Sequence, residues 1–171
     1  VEEEAIRGGI CKAQDDVGAL RSWRYTPGGG ESPWILVNAF AANDPESTLG
    51  IYDRMTAAET LDPASCVGLL SLRSDRGDRS LQWAEALEAG GLSRFRTLFL
   101  SGLHGPAVRH RLRHHPHAER IHLLHPGPPE EVMNEVLPGH GPSLLFGFGN
   151  MAGLGREEVR HWLKVGEPHG V

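Results

Sequence analysis

Apolar and polar positions follow one another along the chain in blocks that predict strands followed by helices. Unbroken apolar runs of strand length recur, and after most of them apolar residues return at helical spacing. The predicted strands are 19–25, 33–40, 66–72, 95–100, 121–124 and 143–148. One predicted helix begins at Pro45, and the later ones are 79–89, 107–114, 129–136 and 156–165. Strands that are apolar throughout are typical of a parallel sheet covered on both faces.

Two features refine the predicted fold. The segment 26–32 contains a proline and three consecutive glycines between the first two strands, which indicates a β-hairpin. Right-handed crossovers between the later strands would give a Rossmann-like arrangement. We therefore expect an α/β fold with a Rossmann-like, mostly parallel sheet, helices on both faces and an N-terminal antiparallel hairpin at the edge.

The boundary between the second strand and the next helix is the clearest local pattern. Asp44 suits a helix N-cap and Pro45 suits the first helical position. Leu49, Tyr52 and Met55 then recur at helical spacing. A strand that ends at a helix N-terminus brings free backbone N–H groups to the sheet edge, where anions bind. The turn is either a packing corner or part of a ligand site.

The turn after the third strand is dense in charge. Its five charged residues are Arg73, Asp75, Arg76, Asp78 and Arg79. Arginine forks bind carboxylate or phosphate through two hydrogen bonds, and neighbouring aspartates could orient those forks. The alternative interpretation is a solvated turn of mutually paired charges with Asp78 as the helix N-cap.

The last strand ends in a glycine-rich segment. Gly147, Gly149 and Ala152 match the spacing of a dinucleotide-binding loop, which lets backbone approach a phosphate. The full fingerprint needs another strand and an acidic residue about 20 residues later, and the chain ends after one helix. These glycines either line a ligand site or let the strand turn tightly into its helix.

Composition narrows the possible functions. At 171 residues the chain suits one domain, and a formal charge of −5 argues against nucleic-acid binding. Cys11 and Cys66 lack a CxxC context and fit a reducing cytosol. Histidines and arginines concentrate between residues 104 and 125. This segment is either a solvated helix end, a metal site or a surface that contacts a polyanion. The apolar runs are too short to span a membrane.

Four segments together resemble the carboxy-terminal part of the poly-gamma-glutamate synthase (capsule biosynthesis ligase) family, which is related to the Mur ligases and folylpolyglutamate synthetases. They are Asn38-Ala-Phe-Ala-Ala-Asn-Asp-Pro-Glu-Ser-Thr48, Arg73-Ser-Asp-Arg-Gly-Asp-Arg79, Gly147-Phe-Gly-Asn150 and the hinge-like Asp16-Val-Gly-Ala-Leu-Arg21. The wider Mur group usually has Asp-x-Ala-His-x-Pro at the first segment, so its aspartate and histidine roles do not transfer directly.

The resemblance implies an ATP-dependent ligase that polymerises glutamate through γ-linkages via an acyl phosphate, with ATP and Mg²⁺ as cofactors. Residues 1–17 would be the end of a truncated central ATP-binding domain and its hinge, and residues 18–171 the C-terminal domain. The chain has no G-x-x-x-x-G-K-[ST] loop. The missing central domain would therefore hold most of the ATP and Mg²⁺, and this fragment alone would be inactive.

The same resemblance suggests roles for the residues at the three strand ends. Asn43, Asp44, Arg73 and Arg76 are the expected catalytic set, and the expected nucleotide or glutamate contacts are Asn38, Asp75, Asp78, Arg79, Gly149 and Asn150. The implied partners are glutamate, the poly-gamma-glutamate chain and membrane export subunits at the cytoplasmic face of the membrane. Two alternatives stay open: a nucleotide-binding oxidoreductase domain built on 147–152, and a non-catalytic domain that docks an acidic partner.

Overall fold

The computed structural model describes residues 18–29, 33–42, 44–59, 61–62, 65–137 and 143–170. The segment 1–17, expected to hold the end of an ATP-binding domain and a hinge, lies outside these ranges. Asn43, from the first candidate turn, also lies outside them. The described residues form a seven-stranded sheet with five α-helices.

Strands and helices follow one another as the apolar pattern predicts. The strands are β1 (Arg21–Tyr25), β2 (Trp34–Ala39), β3 (Cys66–Ser71), β4 (Thr97–Ser101), β5 (Ile121–Leu123), β6 (Ser143–Phe148) and β7 (Glu167–His169). The helices are α1 (Pro45–Ala58), α2 (Gly77–Glu88), α3 (Gly105–Arg111), α4 (Pro129–Val136) and α5 (Arg156–Val165). The bounds of β6, α4 and α5 coincide with the predicted ones.

The sheet has the order β5-β4-β3-β6-β2-β1-β7. The five strands from β5 to β2 are parallel, and β1 runs antiparallel to both of its neighbours. This confirms the mostly parallel α/β sheet with an N-terminal antiparallel hairpin. The sequence pattern did not predict β7, which pairs with the outer side of β1 and contains Pro168, a residue that sheets tolerate at an edge.

Helices cover the sheet on both faces. Helices α1, α2 and α3 pack on one face with Val37, and α4 and α5 pack on the other with Leu36. These adjacent residues of β2 point to opposite faces because side chains alternate along a strand. Strand β3 continues into α2 on one face of the sheet, and its neighbour β6 continues into α5 on the other face. Because the chain leaves the two strands in opposite directions, a crevice opens at their carboxyl ends, where open α/β sheets bind ligands.

Helix α2 begins earlier than predicted. Its first residue is Gly77, not residue 79, and the N-cap position is Arg76, whose side chain makes no capping hydrogen bond. Asp78 is therefore not the N-cap that the alternative interpretation of this turn assigned to it. Because the chain is already helical at Gly77, Asp78 falls within the first turn. Its negative charge interacts favourably there with the positive end of the helix dipole.

The buried face of α2 also differs from the predicted one. The spacing of Leu81, Ala84 and Leu87 in the sequence predicts that all three lie on this face, but Leu81 is 46% exposed. It lies about 100° around the helix from Ser80, and so outside the stripe that contacts the sheet. That stripe consists of Ser80, Trp83, Ala84 and Leu87.

Candidate functional site

A cavity of about 220 Å³ opens at the crevice between the carboxyl ends of β3 and β6. Its walls combine two of the three predicted strand ends, which are 70 or more residues apart in sequence. The lining residues are Leu72, Arg73, Arg76, Arg79, Ser80, Trp83, Gly149 and Asn150. We refer to it below as the arginine cavity.

Helical spacing explains how one side of the arginine cavity is built. Arg76 occupies the N-cap position of α2, and Arg79, Ser80 and Trp83 follow it at intervals that bring side chains to one side of a helix. Trp83 is 1% exposed and forms part of the apolar core as well as the cavity wall. Burial of this tryptophan therefore fixes the rotation of α2, and with it the side on which the arginines lie.

Arg73 is held by a neighbouring carboxylate. Its Nε donates to Asp75 Oδ1 at 2.7 Å and its terminal nitrogen donates to Asp75 Oδ2 at 2.5 Å, which is a bidentate pair. The hydrogen bonds from Arg73 lower the pKa of Asp75 below its ordinary value. Both side chains are partly exposed, so the pair contributes little to stability. Its main effect is to orient Arg73.

The other two arginines leave the cavity with an excess of positive charge. Arg79 donates to the neutral side chain of Gln82 at 2.9 Å. Among the residues that the structure describes, neither Arg76 nor Arg79 forms an ion pair. Because guanidinium groups stay protonated, both side chains present a positive charge to a ligand in the cavity.

The end of β6 supplies the opposite wall. Gly149 has φ +98°, and a Cβ at this position would lie 2.4 Å from Leu70 Cδ1 and 2.6 Å from Ser71 O. Only glycine lets the β6 backbone turn this close to β3. Asn150 Oδ1 accepts the N–H of Ala152 at 2.7 Å, which fixes the orientation of the side chain and leaves its Nδ2 as the donor it offers to the cavity.

Two residues of the first candidate turn serve local structure. Asn38 is 1% exposed; its Nδ2 donates to Ala19 O at 2.9 Å, and its Oδ1 accepts the N–H of Phe40 at 3.3 Å. Asp44 caps α1 by accepting the N–H of Ser47 at 2.8 Å, and this hydrogen bond lowers its pKa. Neither residue lines the arginine cavity.

Asp44 is nevertheless electrostatically linked to the cavity. The positive charge of Arg79 contributes to the lowered pKa of Asp44, although less than the hydrogen bonds from Ser47. The N-terminus of α1 therefore lies within range of an arginine that lines the cavity. Asp78, by contrast, is exposed in the first turn of α2 and does not line the cavity.

The sequence of this chain matches a known protein family. The family model described as "Poly-gamma-glutamate synthase CapB C-terminal domain" matches residues 24–165. The chain belongs to this family.

Two curated relatives of this poly-gamma-glutamate synthase family are similar to the chain. "Capsule biosynthesis protein CapB" of Bacillus anthracis is 38% identical over 84 residues, which cover 49% of this chain and 18% of that protein. "PGA synthase CapB" of Bacillus subtilis (strain 168) is 28% identical over 159 residues, which cover 90% of this chain and 38% of that protein. The chain thus spans less than two fifths of the length of either relative. No solved structure matches it significantly.

The glycine spacing at the end of β6 has a packing explanation in this member of the family. A Cβ on Gly147 would lie 2.4 Å from the ring of Phe40 and 2.9 Å from Trp162, so this glycine makes room for aromatic side chains. The chain after Asn150 forms an irregular turn, Met151–Gly155, before α5 begins. Gly147 therefore packs against the core and does not line the arginine cavity.

Four residues outside the predicted site build or support the arginine cavity: Leu72, Ser80, Trp83 and His104. Ser80 and Trp83 line it, and their helical spacing from Arg76 was the available signal. His104 supports it from α3: its Nε2 is hydrogen-bonded to the carbonyl oxygen of Ser74, at 2.9 Å, in the turn that carries the arginines. No sequence pattern connects residues 74 and 104, because the contact depends on β3 and β4 being neighbours.

The described residues show two further features. No helix among them is both long and apolar enough to cross a membrane. Within the same ranges, no group of three or more His, Cys, Asp or Glu side chains is arranged to hold a metal ion.

Proposed function

We propose that this chain takes part in the ATP-dependent polymerisation of glutamate through γ-linkages, and that the arginine cavity binds an anionic group of that reaction. Membership of the poly-gamma-glutamate synthase family supports the choice of polymer. The observation that carries the proposed site is the convergence of Arg73, Arg76 and Arg79 at the crevice between β3 and β6. A carboxylate of the incoming glutamate, or a phosphoryl group, is the ligand that such a cavity selects.

The dimensions of the cavity support a small anion. Pockets for drug-sized ligands are larger, about 300 Å³ or more, so about 220 Å³ suits one end of a ligand better than a whole nucleotide. Arg76 would form the main charge-assisted hydrogen bonds because it has no ion pair among the described residues. Arg73, oriented by Asp75, and Asn150 would complete the set of donors.

ATP and Mg²⁺ enter the proposal in different ways. ATP, when bound, supplies the phosphoryl group that activates the terminal carboxylate of the polymer as an acyl phosphate. Its phosphates fit the donors of the arginine cavity. Mg²⁺ prefers several carboxylate or phosphate oxygens, and the described residues offer no cluster of carboxylates for it. Its ligands would come from the phosphates and from other parts of the enzyme.

The proposal also includes partners beyond this chain. Both relatives are much longer, so we propose that a central ATP-binding domain closes over the crevice and that the chain alone does not polymerise glutamate. Asp44, at the N-terminus of α1, would face that domain together with the cavity, and Asn43 stays a predicted catalytic residue. Association with membrane export subunits at the cytoplasmic face stays a prediction from the family resemblance.

Calorimetric titration of the chain with glutamate, ATP and inorganic phosphate tests the proposed site. We expect Arg76→Gln to weaken the tightest of these interactions about tenfold or more, since a charge-assisted hydrogen bond contributes about 1.5–3 kcal/mol. Arg54→Gln is a matched control, because it removes the same charge from the exposed side of α1. Equal weakening in both variants, or no binding of any of the three anions, would contradict the anion-binding role of the cavity.

A further inference from the structure

The end of α3 and the turn that follows it form a basic surface. We define it by Arg109, His110, Arg113 and His114, all of which are exposed. No aspartate or glutamate occurs in the sequence between Glu88 and Glu119, although the whole chain has a formal charge of −5. The basic surface is therefore a positive region on a protein that is negative overall.

The two arginines of the basic surface are not neutralised by neighbouring carboxylates. Arg111, on the side of α3 that faces α2, lies 3.6 Å from both Glu85 and Glu88. Arg109 and Arg113 form no ion pair with any residue in the described ranges. Arg113 donates to the carbonyl oxygen of His110 at 3.0 Å, which ties its guanidinium group to the end of the helix.

Stabilisation of the helix terminus does not account for this much charge. Cations in the last turn of a helix interact favourably with its dipole, but the effect of each is small at an exposed position and is screened by salt. Helix α3 has seven residues and carries Arg109, His110 and Arg111 in its last turn, with Arg113 and His114 directly after it. The outward-facing members of this set are available to a ligand.

The basic surface is connected to the arginine cavity along α3. This helix starts directly after His104, which is hydrogen-bonded to the turn that carries Arg73 and Arg76. A groove of about 180 Å³ between α2 and α3 is lined by His104 and Arg111, and Ser80 lines both this groove and the cavity. At 1.5 Å per residue, α3 itself is roughly 10 Å long, and the basic surface lies at its far end from His104.

The geometry points to the basic surface as the binding site of the poly-gamma-glutamate chain itself, next to the cavity that takes the small anion. This inference rests on the proposed function. Each γ-linked residue keeps one free α-carboxylate, so the polymer is a regular polyanion that several guanidinium groups can bind at once. The basic surface contains no Phe, Tyr or Trp, the large aromatic side chains on which successive nucleic-acid bases stack best, which favours a carboxylate polymer over a nucleic acid.

Fluorescence anisotropy with labelled poly-gamma-glutamate tests the inference on the 171-residue chain at low and moderate salt. We expect binding that weakens steeply with salt, because it depends on exposed charges. The double substitution Arg109→Gln/Arg113→Gln is expected to weaken binding about tenfold and to lower the thermal midpoint by a few degrees at most, because the dipole effect of each cation is small. The matched control is Arg160→Gln/Lys164→Gln, which removes two exposed cations at the same spacing from α5, on the opposite face of the sheet.

The outcomes separate this inference from the proposed function. Polymer binding that survives Arg76→Gln but is lost with Arg109→Gln/Arg113→Gln supports the basic surface, whatever the cavity binds. Equal loss in the α5 control shows general charge attraction and overturns the inference. So does the absence of polymer binding, or tighter binding of single-stranded DNA or of vesicles with anionic lipids than of poly-gamma-glutamate. Calorimetry with small anions remains an independent test of the cavity in each case.

Discussion

Arg73 and Asp75 are joined by two hydrogen bonds, from Nε to Oδ1 at 2.7 Å and from the terminal nitrogen to Oδ2 at 2.5 Å. A carboxylate of the protein therefore already fills the fork of Arg73 that an anionic ligand would use. Arg76, three residues later on the same cavity wall, has no ion pair among the described residues. The sequence does not distinguish Arg73 from Arg76, but in the structure only Arg73 is paired with a carboxylate of the protein.

This difference predicts unequal effects of lysine substitutions in a complete, active ligase. Arg73→Lys and Arg76→Lys should both reduce the rate of polymerisation, because a lysine does not reproduce the planar fork of arginine. The reduction should be larger for Arg76→Lys, since its fork is the one left open. Both variants should keep the thermal midpoint, because exposed ion pairs contribute about 1 kcal/mol or less. Unaltered polymerisation by both variants would remove the two residues from the site.

The close packing around Gly149 predicts that a substitution there lowers stability more than its positive φ alone would explain. Gly149→Ala should lower the free energy of unfolding by about 3 kcal/mol or more, since the new methyl group would overlap Leu70 and the carbonyl oxygen of Ser71 in addition to the strain of φ +98°. Gly28→Ala is the control: φ is +57° there, but a Cβ meets nothing within 4 Å, so the expected cost is about 1 kcal/mol.

Chemical denaturation of the two alanine variants measures this contrast. A similar free energy of unfolding for both would mean that β3 and β6 separate easily at their carboxyl ends. The wall of the arginine cavity would then be less rigid than the contact between Gly149 and Ser71 implies. Small-anion binding by Gly149→Ala, measured below its thermal midpoint, should also weaken because Asn150 follows the displaced residue directly.

Glu158 predicts a loss of stability as the pH rises. Among the described residues, neither of its buried carboxyl oxygens has a partner at hydrogen-bond geometry, because the indole N–H of Trp162 donates to Met133 Sδ. Burial raises the pKa of Glu158 to about 8; the nearby Trp162 opposes this, and Glu157 and Glu130 add smaller increases. The folded protein therefore keeps a proton that the unfolded chain releases near the ordinary value of 4.5. It follows that the free energy of unfolding is highest below about pH 4.5 with respect to this group and decreases as the pH rises to about 8.

Glu158→Gln should remove this pH dependence. Relative to the unsubstituted chain, the variant should gain stability on the order of a few kcal/mol near pH 8.5 and little near pH 4.5. Glu157→Gln, at the exposed neighbouring position, should change the profile much less. Thermal unfolding of all three proteins across this pH range measures the effect. A parallel profile for Glu158→Gln and the unsubstituted chain would show that Glu158 is not buried in solution.

Local sequence was sufficient to predict a helix boundary where a capping residue or a proline marks it. Pro129 begins α4 as predicted, and Asp44 with Pro45 begins α1, because each residue satisfies a geometric requirement of a helix terminus. It was insufficient where packing decides. The position of α2 depends on Trp83 contacting the sheet, and β7 exists because β1 has an unpaired edge to which three residues can bind.

The candidate site was likewise predictable from the sequence only in part. The residue types that bind anions, and their positions after strands, follow from the order of residues along the chain. Their distribution in space does not: Arg76 and Asn150 line one cavity because β6 is inserted between β2 and β3, whereas Asn38 is buried against Ala19. Helix caps and apolar periodicity depend on neighbours within a few residues. Strand order depends on pairing between distant segments, and the convergence of the arginines with Asn150 is therefore a property of the packed sheet.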